Sequence, residues 1–211
     1  MTRTQTTVIA LVALVALVMG LTVYKALNRS GQLNPALLLD AGIVQLPQSR
    51  ELPAMTLTDQ DGRPQAVDAP SGRWTLLFFG YTFCPDVCPT TLAELRQLQG
   101  LLGEEDRQRL RVVMVTVDPA RDTPEQLKQY LGFFDAGFAG LTGELEAIQT
   151  LSGRVGIPFI PGDTGRENYT VDHSANLALL GPDGRQHGFI RAPLKVQKLA
   201  EALPPLLASR P

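Results

Sequence analysis

The chain has 211 residues, of which 44% are hydrophobic and 19% are charged, a composition typical of a globular domain and not of a disordered or fibrous protein. The formal net charge is -2 and the pI is near 5.7. Because there is no excess of basic residues to neutralise phosphates, a nucleic-acid partner is not expected.

The N-terminal region contains a long apolar stretch. Residues 8–24 carry no charged side chain over 17 positions, and basic residues flank them on both sides. A membrane span needs roughly 17 to 25 apolar residues, whereas a cleaved signal peptide has an apolar stretch of about 7 to 15. We therefore expect residues 1–29 to form a single, uncleaved transmembrane helix, followed by a tether over residues 30–50. The flanking charges alone leave the orientation open.

The folded domain is expected to span residues 51–211 and to open with a β-hairpin. Met55–Thr58 resembles a short strand, and Asp59–Gly62 has the residues of a turn. Thr75–Phe79 and Val112–Val117 are continuous apolar runs, which is typical of central parallel strands covered on both faces.

Several helices are predicted around these strands. Five leucines between the central strands recur every three or four residues and mark one face of a helix: Leu92, Leu95, Leu98, Leu101 and Leu102. A second helix should begin at Thr123–Pro124, where Thr can cap, Pro fits the first turn and Gln126 stands at the capping-box position. A short helix fits Glu144–Leu151, and a last one fits Leu194–Leu207, interrupted near its end by Pro204 and Pro205.

A second hairpin is predicted near the C-terminus. Asn176–Leu180 and Gln186–Ile190 have strand character, and Gly181–Gly184 lies between them as a turn. Strands that alternate with helices indicate an α/β domain.

The only two cysteines of the chain are Cys84 and Cys88. They follow a predicted buried strand and stand at the start of a predicted helix, whose free N–H groups and partial positive charge favour the thiolate. The cysteines could instead be ordinary apolar side chains of the core. This interpretation is less favoured, because both cysteines adjoin prolines at a strand-to-helix junction. A disulfide, a redox pair and a metal site all remain open.

One of the two histidines, His173, immediately precedes a predicted strand. Two thiolates and one imidazole make a ligand set suited to Cu(I) that also holds Cu(II). Zinc is the nearest competitor, but a structural zinc site normally has four protein ligands and the chain has no third cysteine. Asp172, His173 and Ser174 are not expected to form a hydrolytic triad, because neighbours in sequence point apart.

His187 and Asp118 are two further polar residues of interest. His187 is interpreted as an ordinary surface or strand residue. Asp118 ends a central strand and either lies near the site, as residues at the carboxyl ends of parallel strands do, or simply terminates the strand.

Three long segments resemble the Sco/SenC family of copper chaperones that serve cytochrome oxidase assembly. They are residues 79–91 (FGYTFCPDVCPTT), 115–125 (VTVDPARDTPE) and 169–175 (YTVDHSA), and the similarity extends over roughly residues 51–205. Residues 156–168 cannot be matched position by position.

The resemblance implies a thioredoxin-like fold, a central mixed sheet flanked by helices, in which Cys84, Cys88 and His173 bind copper as Cu(I) and Cu(II). It also implies a partner, the copper-bearing subunit of cytochrome c oxidase, with a second periplasmic copper chaperone or a thiol reductase as further candidates. The domain is expected to face the periplasm from the inner membrane, because the compact length favours a bacterium over a mitochondrion.

Two functions from different classes remain. The first is a metallochaperone, not an enzyme, that delivers copper to the binuclear copper centre of the oxidase. The second is a thiol-disulfide oxidoreductase that uses only Cys84 and Cys88, through a reversible disulfide, to keep the cysteines of that subunit or of another copper protein reduced. General thioredoxin-like reductases usually have two residues between their cysteines and a proline before the facing strand, whereas this chain has three residues and Asp172–Ala175 there. A peroxidase is a third option, but the sequence places no arginine convincingly beside a cysteine.

Overall fold

A computed structural model describes residues 3–27, 33–166 and 168–209. By its internal contacts the chain divides into two compact units, Met1–Leu33 and Asn34–Pro211. In the first unit, helix α1 spans Arg3–Leu27. Within the part of the chain that the structure describes, no helix combines the length and the apolar character that crossing a membrane requires. The predicted transmembrane helix is therefore not shown, and the end of the predicted anchor falls outside the described residues.

The second unit is built on one mixed sheet of eight strands, in the order β1-β8-β7-β4-β5-β6-β2-β3. The central strands pair in parallel, β4 with β5 and β5 with β6, and the other neighbours pair antiparallel. The strands are β1 Ile43–Arg50, β2 Thr56–Asp59, β3 Pro64–Ala66, β4 Trp74–Gly80, β5 Leu110–Thr116, β6 Ala139–Thr142, β7 Leu177–Leu180 and β8 Gln186–Ile190.

Six helices accompany this sheet: α2 Pro35–Asp40, α3 Val87–Leu101, α4 Glu104–Arg109, α5 Pro124–Gly132, α6 Leu145–Arg154 and α7 Val196–Ala208. Helix α3 packs against α7, and α5 packs on β6. All seven residues of β4 are buried, so both faces of this strand are covered, as its continuous apolar run predicts. The predicted α/β class and mixed sheet with flanking helices are confirmed.

The predicted tether differs from what is observed. From Asn34 onward these residues belong to the compact unit, where they form α2 and the edge strand β1, which pairs antiparallel with β8. Only Ile43 at the start of β1 is buried, and the other side chains of the strand are half-buried or exposed. The strand also contains Pro47, which an edge strand tolerates because one of its sides makes no ladder hydrogen bonds. Its polar, proline-containing sequence therefore gave no strand signal.

Other local predictions can be compared directly. The hydroxyl of Thr123 accepts the N–H of Gln126 at 3.2 Å, which confirms the predicted helix start. The second hairpin is confirmed by the antiparallel pairing of β7 and β8. Helix α7 continues through Pro204 and Pro205, so the predicted interruption is wrong: its buried apolar face extends beyond the prolines to Leu207.

Candidate metal centre

The two cysteines lie where the central strand β4 ends and helix α3 begins. Cys84 is in the connecting loop and is 8% exposed, and Cys88 is the second residue of the helix and is fully buried. Gly80, the last residue of β4, permits this approach, because a Cβ there would stand 2.7 Å from the Cys88 Sγ. The backbone N–H of Tyr81 donates to the Cys88 Sγ at 3.4 Å, and the N–H of Cys88 donates to the Cys84 Sγ at 3.4 Å.

His173 reaches these sulfurs from the segment that precedes β7. Its Nε2 is 3.1 Å from the Cys88 Sγ. The ligand atoms of Cys84, Cys88 and His173 all lie within 4.8 Å of one another, and no other group of this kind occurs among the described residues. The structure thus brings together the three residues that the sequence singled out.

The second ring nitrogen of His173 is held by the backbone. Its Nδ1 is 3.0 Å from the Val171 carbonyl oxygen, which can only accept a hydrogen bond. A proton on Nδ1 satisfies this contact and leaves the Nε2 lone pair directed at the thiols. The imidazole is thereby oriented as a ligand.

The two thiols have opposite proton affinities. The pKa of Cys84 is lowered to about 5, mainly because the Cys88 thiol donates to its sulfur, with backbone N–H groups of Asp86 and Cys88 adding to the effect. The pKa of Cys88 is raised, because its proton is held by Cys84 and because the side chain is buried. The reduced site therefore carries one thiolate and one thiol at neutral pH.

Tyr81 connects the cysteine loop to the histidine segment. It is 1% exposed, its hydroxyl accepts the Val171 N–H at 3.3 Å, and its ring meets the His173 ring edge-on at a centroid distance of 5.3 Å. Sequence reasoning did not single out this residue, although it lies within the motif that carried the family resemblance.

A buried carboxylate fixes the start of the same loop. Asp122 accepts the backbone N–H of Thr82 at 3.1 Å, the Thr82 hydroxyl at 2.7 Å and the Thr116 hydroxyl at 2.6 Å. Burial raises the pKa of Asp122, while these three donors oppose the rise. Asp122 was also missed, because its partner Thr82 lies 40 residues away in sequence.

Asp118 lies beside this assembly, one of the two placements considered for it. Its carboxylate accepts a hydrogen bond from the Tyr169 hydroxyl at 2.6 Å and forms an ion pair with Arg121. The Arg121 guanidinium lies 3.6 Å from the centre of the Tyr169 ring and 4.9 Å from the centre of the Phe83 ring. An arginine does therefore stand near the cysteine loop, contrary to the sequence interpretation, but it is engaged by the Asp118 carboxylate and the Tyr169 carbonyl.

His187 is not part of the centre. It lies on β8, and its Nε2 is 3.0 Å from the Asp183 carboxylate. The interpretation of this histidine as an ordinary strand residue is confirmed.

The centre opens to solvent through a cleft of about 410 Å³, lined by Cys84, His173 and residues on both sides of them. Ile160 at its rim donates its backbone N–H to the Asp172 carbonyl at 2.9 Å, which ties the proline- and glycine-rich segment to the histidine segment. Within that segment Glu167 lies outside the described residues.

The donor set fits a soft metal ion. Two sulfurs and one neutral imidazole nitrogen suit Cu(I), and no carboxylate of the described residues joins the group, as a hard cation would require. Three donors instead of four also argue against a structural zinc site. The group can hold a metal ion once both thiols are deprotonated.

Comparison with known proteins gives a consistent result. The model of the family described as SCO1/SenC matches residues 45–208. A protein of Stutzerimonas stutzeri, named "Putative copper-binding protein", is 51% identical over 172 residues, which cover 82% of this chain and 84% of that protein. Mitochondrial protein SCO2 of Saccharomyces cerevisiae is 34% identical over 131 residues, 61% of this chain but only 44% of the yeast protein.

A solved structure agrees with this result. Bradyrhizobium japonicum ScoI with copper bound has 34% sequence identity and a TM-score of 0.64, with coverage of 72% of this chain and 97% of that one. The mixed sheet and its flanking helices thus match the thioredoxin-like fold of Sco structures. The family model matches most of the length of this chain, and the Stutzerimonas stutzeri protein is similar over most of both chains. The chain therefore belongs to the SCO1/SenC family.

Proposed function

We propose that this protein binds copper through Cys84, Cys88 and His173 and delivers it to the binuclear copper centre of a cytochrome c oxidase subunit. The observation that carries the proposal is the convergence of two sulfurs and one oriented imidazole nitrogen within 4.8 Å. Copper-bound structures of family members with a similar fold support the choice of metal.

Copper is the cargo in this proposal, and the chain's own residues explain how it is held and released. The Cys84 thiolate offers an open ligand at the cleft, whereas Cys88 must lose its proton as metal binds, so capture releases a proton. The open cleft admits the ligands of an acceptor protein, which can replace those of this site one after another.

A second candidate function is the reduction of a disulfide in the oxidase subunit or in another copper protein. The low pKa of Cys84 favours it, because a thiolate beside a protonated thiol is the arrangement of an attacking and a resolving cysteine. Cys84 would attack one sulfur of the target disulfide, and Cys88 would then displace the remaining target thiol. The target gains two electrons and two protons, one proton from Cys88 and one from solvent, and Cys84 and Cys88 become a disulfide.

One paired experiment separates the two functions. The reduced protein, loaded with one Cu(I), is mixed with the copper-free, reduced copper domain of an oxidase subunit, and in parallel the copper-free protein is mixed with the oxidised domain. Copper delivery predicts that His173→Ala abolishes metal transfer but leaves thiol exchange intact. Equal copper transfer by the wild type and this variant would contradict the three-ligand site.

We also propose that the N-terminal segment anchors the protein in the inner membrane, with the domain in the periplasm. The uncharged stretch of residues 8–24 and the resemblance to the family support this placement. Fractionation and protease treatment of spheroplasts test it: the domain should pellet with membranes, stay there in high salt and be digested from outside. Recovery in the cytosol would refute the placement.

A further inference from the structure

A second pocket lies at the end of the central strands opposite to the metal centre. Strands β4 and β5 begin at Trp74 and Leu110 and end beside the cysteine loop. At about 3.3 Å per residue, a strand of seven residues separates its two ends by roughly 20 Å. The pocket has a volume of about 310 Å³, and its lining includes Arg73, Gln99, Arg107 and Arg111. We call it the arginine pocket.

The positive charge of the arginine pocket is not neutralised. Arg107 pairs with Glu104, whereas neither Arg73 nor Arg111 forms an ion pair within the described ranges. No aspartate or glutamate of the described residues lines the pocket. Two arginines without an ion pair thus line one concavity in a chain whose net charge is -2. Arg111 also lines a neighbouring cavity that Asp59 and Asp61 border, but neither carboxylate pairs with it among the described residues.

Arg111 is held in place by a single neutral contact. Its Nε donates to the Thr75 hydroxyl at 2.7 Å, from the neighbouring position on β4, and no other hydrogen bond of its guanidinium occurs among the described residues. Burial and the neighbouring Arg73 lower the pKa of Arg111. Its terminal N–H groups have no acceptor among the described residues, and an anionic ligand would supply one.

We propose that the arginine pocket binds a phosphate group, as inorganic phosphate or as a phosphomonoester. Two uncompensated guanidinium groups match the charge of a dianion, and their forked N–H groups match its oxygens. Gln99 offers a further amide donor from α3. This site is independent of the proposed copper function, because it shares no residue with the metal centre.

The test is titration of the full-length protein with inorganic phosphate at constant ionic strength, followed by calorimetry and by the shift in melting temperature. Wild-type protein is compared with Arg73→Gln and Arg111→Gln. Arg73 is exposed, so its variant should fold even if loss of the Arg111 contact to Thr75 destabilises the protein. Arg166→Gln is the control, because this arginine is 79% exposed and lies near Asp163.

We expect the wild type to bind one phosphate saturably. Arg73→Gln should weaken this binding at least about tenfold, and Arg166→Gln should leave it unchanged. A titration with chloride in place of phosphate should give no saturable signal. A parallel assay with phosphatidic acid in phosphatidylcholine vesicles shows whether the phosphate of a lipid headgroup is also accepted. Loss of phosphate binding in Arg73→Gln with retained Cu(I) binding would support an independent site. Phosphate binding that is absent, or that is equal in wild type and Arg73→Gln, would overturn the proposal.

Discussion

The Nε2 of His173 stands 3.1 Å from the Sγ of Cys88, although 85 residues separate them in sequence. The contact exists because β4 and β7 are neighbours in the sheet. The cysteine loop and α3 follow the end of β4, and the histidine segment precedes the start of β7. The hydrogen bond that the Val171 N–H donates to the Tyr81 hydroxyl connects the same two segments.

The reduced, metal-free protein should react with iodoacetamide at Cys84 first. Because the pKa of Cys84 is lowered to about 5, its thiolate already predominates at pH 6, and the rate of its alkylation should change little from pH 6 to 8. An ordinary thiol would react roughly tenfold faster per pH unit over this range, since its pKa is about 8.5. Mass spectrometry of the labelled peptides identifies which cysteine has reacted, and the Cys88→Ser variant, in which only Cys84 can react, is the control. Preferential labelling of Cys88 in the wild type would contradict the prediction.

Gly80→Ala should disturb both stability and the metal centre. The new methyl group would stand 2.7 Å from the Cys88 Sγ and 2.7 Å from the Phe78 ring, which forces a shift that costs roughly 1 to 3 kcal/mol. Gly100→Ala is the matched control, because a Cβ there meets no atom within 4 Å. Urea unfolding should show a loss for the first variant only; equal stability of both would mean that the close approach at Gly80 carries no constraint.

Tyr81→Phe should weaken copper binding a few-fold and lower the free energy of unfolding by roughly 1 to 3 kcal/mol, because the buried Val171 N–H loses its acceptor. Tyr130→Phe provides a control, since the Tyr130 hydroxyl is buried without a hydrogen-bond partner among the described residues. The Tyr130 variant should be as stable as the wild type or more stable. Equal behaviour of the two variants would argue against a role for Tyr81 in holding the histidine segment.

Deletion of residues 34–50 should destabilise the domain strongly, whereas deletion of residues 1–32 should not. The first deletion removes β1 and α2, including the buried Leu38 and Ile43, each worth roughly 1.5 to 3 kcal/mol of apolar burial, and it exposes the edge of β8. Chemical denaturation of both truncated proteins measures the difference. If the protein without residues 34–50 is as stable as the protein without residues 1–32, then α2 and β1 do not stabilise the domain and these residues act only as the predicted tether.

The sequence predicted the parts of the fold whose signals are local. Continuous apolar runs identified β4 and β5, and the Thr123 cap identified the start of α5. The edge strand β1 was not predicted, because it is stabilised by pairing with β8, about 145 residues away along the chain, and not by an apolar pattern of its own. The three candidate ligands were found by residue type and motif, whereas Asp122 acts through contacts to Thr82 that only the folded chain reveals.

The most direct measurement is a competition titration of Cu(I) between a chelator of known affinity and the reduced domain, residues 34–211. Wild type, His173→Ala and His187→Ala are compared, because His187 bonds Asp183 away from the centre and should not bind the metal. The account predicts one tightly bound copper in the wild type and His187→Ala, with at least about 100-fold weaker binding in His173→Ala, since loss of a ligand should exceed the loss of a supporting contact. A copper affinity in His173→Ala equal to that of the wild type would contradict it.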